Sequence, residues 1–394
     1  MTDQIVVKNL YKIFGPRPQV ALDLLEQGLD KDAIFQQTGS TIGVRDANFT
    51  IRAGEIFVVM GLSGSGKSTL VRMFNRLIEP TRGEILINDQ NIVQMNQREL
   101  IALRRRDIAM VFQSFALLPH LTVLENAAFG LEISGQDRDE REKQARVALE
   151  QVGLAGNADS YPDELSGGMK QRVGLARALA TNPTILLMDE AFSALDPLIR
   201  RGMQEELLKL QQQHARTIVF ISHDLDEAMR IGDRIAIMEG GNVVQVGTPR
   251  EILDNPATDY ISDFFRDVDI SQVYTAGDIA DSETPTSFQL NGDMNTNQLL
   301  QMLDQKQHEY AYVIDRQQRF RGMVSRQSLQ QNNGSIENAY LHNPRTLRHT
   351  TSLNESMGRV ASTRYPVPVL GHDDRFLGTL SRTRLLESLE KTEP

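Results

Sequence analysis

The chain contains no cysteine. That excludes disulfides, thiolate-ligated zinc and a cysteine nucleophile, and it leaves a reducing compartment unopposed. Basic charge is not in excess either: the formal net charge is −10 over 394 residues, which argues against a protein that coats nucleic acid. Long apolar runs are missing. The longer ones, such as IFVVM at 56–60, are strand-sized and fall short of the roughly 18 residues that span a bilayer. The start, MTDQIVVKNLYKIFG, has no charged region leading into an apolar one, so no signal peptide is expected. These absences, with a hydrophobic share of 40%, lead us to expect a soluble, cytoplasmic chain of two or three domains. Any work on a membrane would go through partners.

What is present is concentrated in a few stretches. GEIFVVMGLSGSGKSTLVRMFNRLI reads as strand, glycine turn and helix. The run Gly61, Leu62, Ser63, Gly64, Ser65, Gly66, Lys67, Ser68 fits the Walker A pattern in full, with Thr69 next in line. Its glycines let backbone N–H groups curl around phosphates, Lys67 adds a point charge, and Ser68 offers a hydroxyl to Mg²⁺ at a helix N-terminus. Apolar residues at 70, 73, 74 and 77 give the helix one buried face. In PTILLMDEAFSALDP the strand Ile185–Met188 ends at Asp189, placed to hold Mg²⁺, with Glu190 beside it to polarise the attacking water. A third apolar run, TIVFISHD, ends at His223. A lone histidine after a strand is more often structural, and this one gains weight only from following the other two strands. Together these parts describe an ATPase core that hydrolyses the γ-phosphoryl group.

A second stretch has phosphate-binding grammar. In DELSGGMKQRVGLARALA, Ser166, Gly167 and Gly168 precede a periodic helix carrying Lys170 and Arg172, yet no metal-holding partner accompanies them. The order Walker A, Gln113 in VFQSFALLPHLTV, LSGGM, Walker B, SALD and strand-terminal histidine resembles the nucleotide-binding subunits of ATP-binding cassette (ABC) transporters over residues 1–266. The resemblance implies an α/β P-loop NTPase cassette with a RecA-like core, an antiparallel β subdomain and a helical subdomain at about 91–165. It also implies that Ser166, Gly167 and Gly168 contact ATP held by the Walker A loop of a second copy, so two ATP molecules would be sandwiched in a homodimer. Gln113 would touch Mg²⁺ or the water and report to membrane subunits, and Asp196 would cross the dimer interface. Phe14 would stack on adenine, with Tyr11 the weaker candidate; without the family order, Phe14 reads rather as core. Met169 stands where the family usually has glutamine. Phe115, Leu117, Leu118 and Leu121 are expected as an exposed socket for a membrane subunit's helix, unless all four are core.

Two features narrow the reading. About thirty residues after Phe14 (an insertion at about 15–43) are expected to form two helices, Val20–Gln27 and Lys31–Gln37. The tail repeats itself at an offset of 56 residues, matching Val313/Val369, Arg319/Arg375, Phe320/Phe376, Gly322/Gly378, Ser325/Ser381, Arg326/Arg382 and Leu329/Leu385. That pattern resembles a tandem CBS pair at 287–394, two βαββα units, after an acidic linker at 267–286. CBS pairs often bind adenosine ligands through an aspartate where this chain has Ser328 and Arg384, so no nucleotide is expected in the tail. Insertion, cassette and tail together resemble the ATP-binding subunit of glycine betaine/L-proline (quaternary amine) ABC importers. The resemblance implies ATP and Mg²⁺, two membrane permease subunits, an extracytoplasmic substrate-binding protein and no nucleic acid. It places the chain peripherally on the cytoplasmic face of the inner (plasma) membrane. It also implies control by osmotic or ionic conditions through the tail. The alternatives are an ABC importer ATPase for another small solute and a soluble ABC ATPase acting on nucleic acid.

Overall fold

Three strands, Ile56–Met60, Ile185–Asp189 and Thr217–Ser222, are buried along their whole length, as strands of a sheet covered on both faces are. They form the middle of a six-stranded sheet in the order Asn242–Gly247, Arg234–Glu239, Ile56–Met60, Thr217–Ser222, Ile185–Asp189, Ile108–Phe112. Every pairing is parallel except the first. The loops that follow the central strands therefore gather at one edge, where open α/β sheets bind their ligands. The computed structural model describes residues 2–390 apart from 114, 115, 194, 267, 284–286, 290–294, 333 and 343. It divides into two units, Met1–Phe265 and Arg266–Pro394, a boundary one residue from the expected one.

In the first unit an antiparallel sheet, ordered Thr41–Arg52, Asp3–Phe14, Arg82–Ile87, Gln90–Asn91, packs on the parallel one through a single core. Phe49 stacks on Phe57 with ring centroids 5.4 Å apart and meets Phe74 edge-on at 6.3 Å. The three rings join both sheets to the helix Lys67–Phe74. Leu77, expected on that helix's buried face, is exposed because the helix ends at Phe74. The insertion forms helices Pro18–Glu26 and Lys31–Thr38, and Leu22, Leu25 and Ile34 seat it on Ile13 and Ile42. Helices Val123–Ile133, Arg138–Gln151 and Gly167–Ala180 pack on one another. The helical subdomain expected from about 91 is interrupted, because Ile108–Phe112 is an edge strand of the parallel sheet.

The second unit runs β-α-β-β-α twice. Strands Ser287–Gln289, Tyr310–Ile314 and Phe320–Ser325 make one sheet, and Leu347–Arg348, Val367–Leu370 and Phe376–Leu380 the other. Each sheet has one parallel and one antiparallel pairing, and each has the same bulge, after Val313↔Gly322 in one and Val369↔Gly378 in the other. Equivalent residues meet where the halves join: Phe320 stacks on Phe376 and Arg319 bridges Arg375. The stretch expected as an acidic linker is built in rather than solvated. Helices Ile270–Val273 and Ala276–Ile279 lie within it, and Ala276 and Ile279 are buried among Leu347, Leu353 and Leu380. Asp281 exchanges two backbone hydrogen bonds with Thr379 at 2.9 and 3.0 Å.

Because Phe57 and Phe74 are fully buried and join two sheets to a helix, Phe74→Ala is expected to destabilise the first unit by about 3–5 kcal/mol. Phe35→Ala, at an exposed position on the insertion, should move stability by less than about 0.5 kcal/mol. Urea unfolding of the two variants against the parent checks both.

Candidate active site

The phosphate loop lies at the end of the central strand and opens the helix Lys67–Phe74. It rests on backbone. A Cβ at Gly61 would come within 2.1 Å of the Met238 carbonyl oxygen, and one at Gly66 within 2.3 Å of the Gly43 oxygen. Both residues have positive φ, 145° and 101°, so side chains are barred there by space and conformation together. The Gly241 N–H donates to the Ser65 carbonyl at 3.0 Å, and the Gly241 carbonyl accepts from Arg45 N–H at 2.8 Å. Thus a strand from the antiparallel sheet and the turn after Arg234–Glu239 hold the loop from two sides.

A cleft of about 750 Å³ opens over this loop. Gly61, Ser63, Gly64, Gly66, Lys67, Ser68 and Thr69 line it, together with Glu190, His223 and Phe14. Those are ten of the residues singled out in the sequence, brought together from four segments. Tyr11 is not among the lining residues; Arg82 sits over its ring and it packs with the insertion's core. Ser65, also expected here, does not line the cleft: it is buried, and its N–H donates to Leu62 O at 3.2 Å. Leu62, Thr41, Ile42, Gly43 and Phe264 also line the cleft. Sequence reading missed these five. Leu62 lay inside the motif, but the others reach the site only through folding, and no periodicity marks them.

The charged groups are set against one another. Lys67 Nζ donates to the carbonyls of Gly61 and Leu62 at 2.9 and 3.0 Å. Burial holds its pKa below the ordinary lysine value, and Glu190 and Asp189 pull it back up. Asp189 is buried, and both of its oxygens are taken: Oδ1 accepts from Ser68 Oγ at 2.8 Å and Oδ2 from Arg72 Nε at 2.9 Å. Arg72, also unforeseen, brings Nη2 to the same Oδ2 at 2.9 Å, so a charge-assisted pair secures that side of the carboxylate. Glu190 has φ 49°, a left-handed conformation that costs a non-glycine residue energy and clusters at functional sites. A turn holds it there, with Ser193 N–H and Oγ both donating to its carbonyl at 3.1 and 2.9 Å. His223 Nδ1 lies 3.9 Å from Glu190 Oε2.

The remaining expected residues lie elsewhere. Gln113 donates to Ser193 Oγ at 3.2 Å, which ties it to the Glu190 turn. Ser166 caps the helix Gly167–Ala180 by accepting from Met169 N–H at 3.4 Å, and Ser166 and Gly167 are exposed. Asp196 caps the helix Pro197–Gln213. Neither Ser166, Gly167 and Gly168 nor Asp196 lines the cleft. Phe115 falls outside the described residues. Leu117, Leu118 and Leu121 are half-buried rather than exposed, because the buried Asn126 amide holds the Leu118 and Leu121 carbonyls, each at 3.0 Å.

The comparisons with known proteins agree with this geometry. The family described as ABC transporter matches residues 44–193. The glycine betaine/proline betaine transport system ATP-binding protein ProV of Escherichia coli (strain K12) is 55% identical over 99% of this chain and 98% of its own length. The glycine betaine/carnitine transport ATP-binding protein GbuA of Listeria monocytogenes is 47% identical over 99% and 98%. Among solved structures, the dimeric ATP-binding cassette MJ0796 bound to ADP and Pi is 33% identical, with a TM-score of 0.52, over 62% of this chain and 98% of that one. A near-full-length relationship, with the lining of the cleft built from the motifs that define a cassette, settles membership: the chain belongs to the ATP-binding subunits of ABC transporters, in the group that holds the glycine betaine/proline betaine transport proteins.

Proposed function

We propose that the chain hydrolyses ATP to energise import of glycine betaine, proline betaine and proline through a partner permease in response to osmotic stress. The observation that carries the substrate is the full-length relationship to glycine betaine transport proteins. The observation that carries the reaction is the cleft that unites Lys67, Ser68, Glu190 and His223. Lys67 would exchange the loop carbonyls for phosphate oxygens, and the backbone N–H groups at the helix start would take the rest of the negative charge. Glu190 would polarise the attacking water, with His223 steadying the γ-phosphate opposite it. Ser68 and Asp189 present hard oxygen donors 2.8 Å apart, which suits Mg²⁺; with Gln113 they would hold that ion, whose charge offsets that of the phosphates. Phe14, which lines the cleft at its rim, would stack on adenine.

The site is completed by a second copy. Ser166 and Gly167 are exposed at a helix N-terminus and do not line their own chain's cleft, so their free N–H groups suit the phosphates bound by a partner's Lys67. The homodimer would sit beneath two permease subunits on the cytoplasmic face of the membrane, fed by an extracytoplasmic substrate-binding protein. Among the described residues no helix is long and apolar enough to cross a membrane, which leaves translocation to those partners. The two β-α-β-β-α halves of the second unit fit a tandem CBS pair. We assign it a regulatory role, in which salt screening of its acidic groups tunes activity as the Debye length falls from about 10 Å to about 3 Å between 0.1 and 1 M salt.

Two measurements check these readings. Uptake of labelled glycine betaine in cells lacking the chain should return with the parent chain and rise at high osmolarity. Glu190→Gln should restore none, because it lowers hydrolysis by about 10²–10⁴-fold while ATP still binds. Uptake restored equally by the variant would remove Glu190 from the mechanism. For the tail, removal of residues 266–394 is the informative cut, since Ala276 and Ile279 belong to the second unit's core. Uptake should then lose its dependence on osmolarity; an unchanged dependence would leave the tail a structural role.

A further inference from the structure

His223 stands largely in solvent beside Glu190. Its side chain is 56% exposed, and its position against Glu190 depends on the turn that carries it. That turn is held from one side by a single helix, Pro197–Gln213, which begins just after the turn of Glu190. Arg200 and Gln204 lie four residues apart on one face of this helix. Arg200 Nη1 donates to Asp224 Oδ2 at 3.1 Å, while its Nη2 donates to the carbonyls of Ser193 and Leu195, both at 3.2 Å. Gln204 Nε2 donates to Glu227 Oε1 at 2.9 Å. Met203 and Leu207 are buried beneath them and anchor the helix.

The partners of Arg200 adjoin the two reacting side chains. Ser193 is the residue whose N–H and Oγ fix the Glu190 carbonyl. Asp224 follows His223 directly, and its other oxygen caps the helix Leu225–Ile231 by accepting from Glu227 N–H at 3.1 Å. Asp224 N–H in turn donates to Ser222 Oγ at 2.9 Å, and that hydroxyl donates to the buried Glu227 carboxylate. One guanidinium therefore spans the turn after Glu190 and the turn at His223, through charge-assisted bonds that are stronger than neutral ones.

We propose that Arg200 is a positioning residue for ATP hydrolysis: by tying the Ser193 and Leu195 carbonyls to Asp224, it sets the distance between Glu190 and His223. This rests on the assignment of Glu190 and His223 to the hydrolytic site. Arg200 touches neither nucleotide nor water. It acts on kcat, because the two groups it aligns are needed at the transition state rather than for holding ATP.

ATPase kinetics of the full-length chain test this, with folding followed by thermal denaturation. Arg200→Gln is expected to lower kcat about tenfold while the KM for ATP stays within about twofold, the split of an interaction used only in the transition state. Asp224→Asn should do the same, since the asparagine oxygen keeps the helix cap while its amide nitrogen replaces the oxygen that accepts from Arg200. The double variant should be no slower than either single one, because the two act as a unit. Arg200→Lys, which keeps the charge without the fork, should recover part of the rate. A kcat within twofold of the parent in folded Arg200→Gln, or losses that multiply in the double variant, would overturn the proposal. If Arg200→Gln does not fold, Asp224→Asn alone decides by the same criteria. His223→Ala separates the two levels. If it keeps full activity, the assignment of His223 fails and the inference with it; if it is inactive while Arg200→Gln keeps a kcat within twofold of the parent, only the inference fails.

Discussion

The nucleotide site depends on a close approach of backbone to backbone. Gly61 and Gly66 let the phosphate loop touch the carbonyls of Met238 and Gly43, and Gly241 pins the carbonyl of Ser65. Those contacts come from both sheets, so the loop's shape is a consequence of how the antiparallel sheet packs on the parallel one. The packing in turn rests on the Phe49, Phe57 and Phe74 rings. Damage to that aromatic junction would reach the site without touching a catalytic group.

On this frame the chemistry is a matter of balanced charge. Asp189 is buried and occupied on both oxygens by Ser68 and Arg72. Lys67 is buried and turned onto loop carbonyls, while Glu190 is held in a strained conformation by Ser193. Asp189 and Glu190 are held before the phosphates arrive, and preorganised charges of this kind supply much of electrostatic catalysis, whereas Lys67 would exchange its carbonyl partners for phosphate oxygens. The helix start at Ser166, the proposed second phosphate contact, is capped by its own side chain and does not line its own chain's cleft. On the proposed divided site, dimerisation is part of the reaction.

Much of this was legible in the sequence because it follows from burial and spacing. The strands ending at Met60, Asp189 and Ser222 are continuous apolar runs, and only a covered parallel sheet suits them. The internal repeat carried its register, since Val313 and Gly322 pair as Val369 and Gly378 do. What stayed hidden was decided by tertiary context. The acidity of 267–286 masks Ala276 and Ile279, which take up places in a core whose other buried members begin only at Leu347. Ile108–Phe112 reads as part of a helical region until it pairs with Ile185–Asp189. Phe264, Gly43 and Arg72 have no local signal, and they matter only through what folding sets beside them.

The central claim is that each ATP is held between the phosphate loop of one chain and Ser166 of another. The absence of cysteine makes a clean test possible, with Ser63→Cys and Ser166→Cys introduced together into a Glu190→Gln chain and oxidised gently. Ser63 lines the cleft and Ser166 is exposed, so both thiols are accessible. The account predicts a disulfide-linked dimer that forms rapidly with ATP and slowly without it, and none from either single cysteine paired across the site. A double variant that stays monomeric on a non-reducing gel at saturating ATP would contradict the divided site.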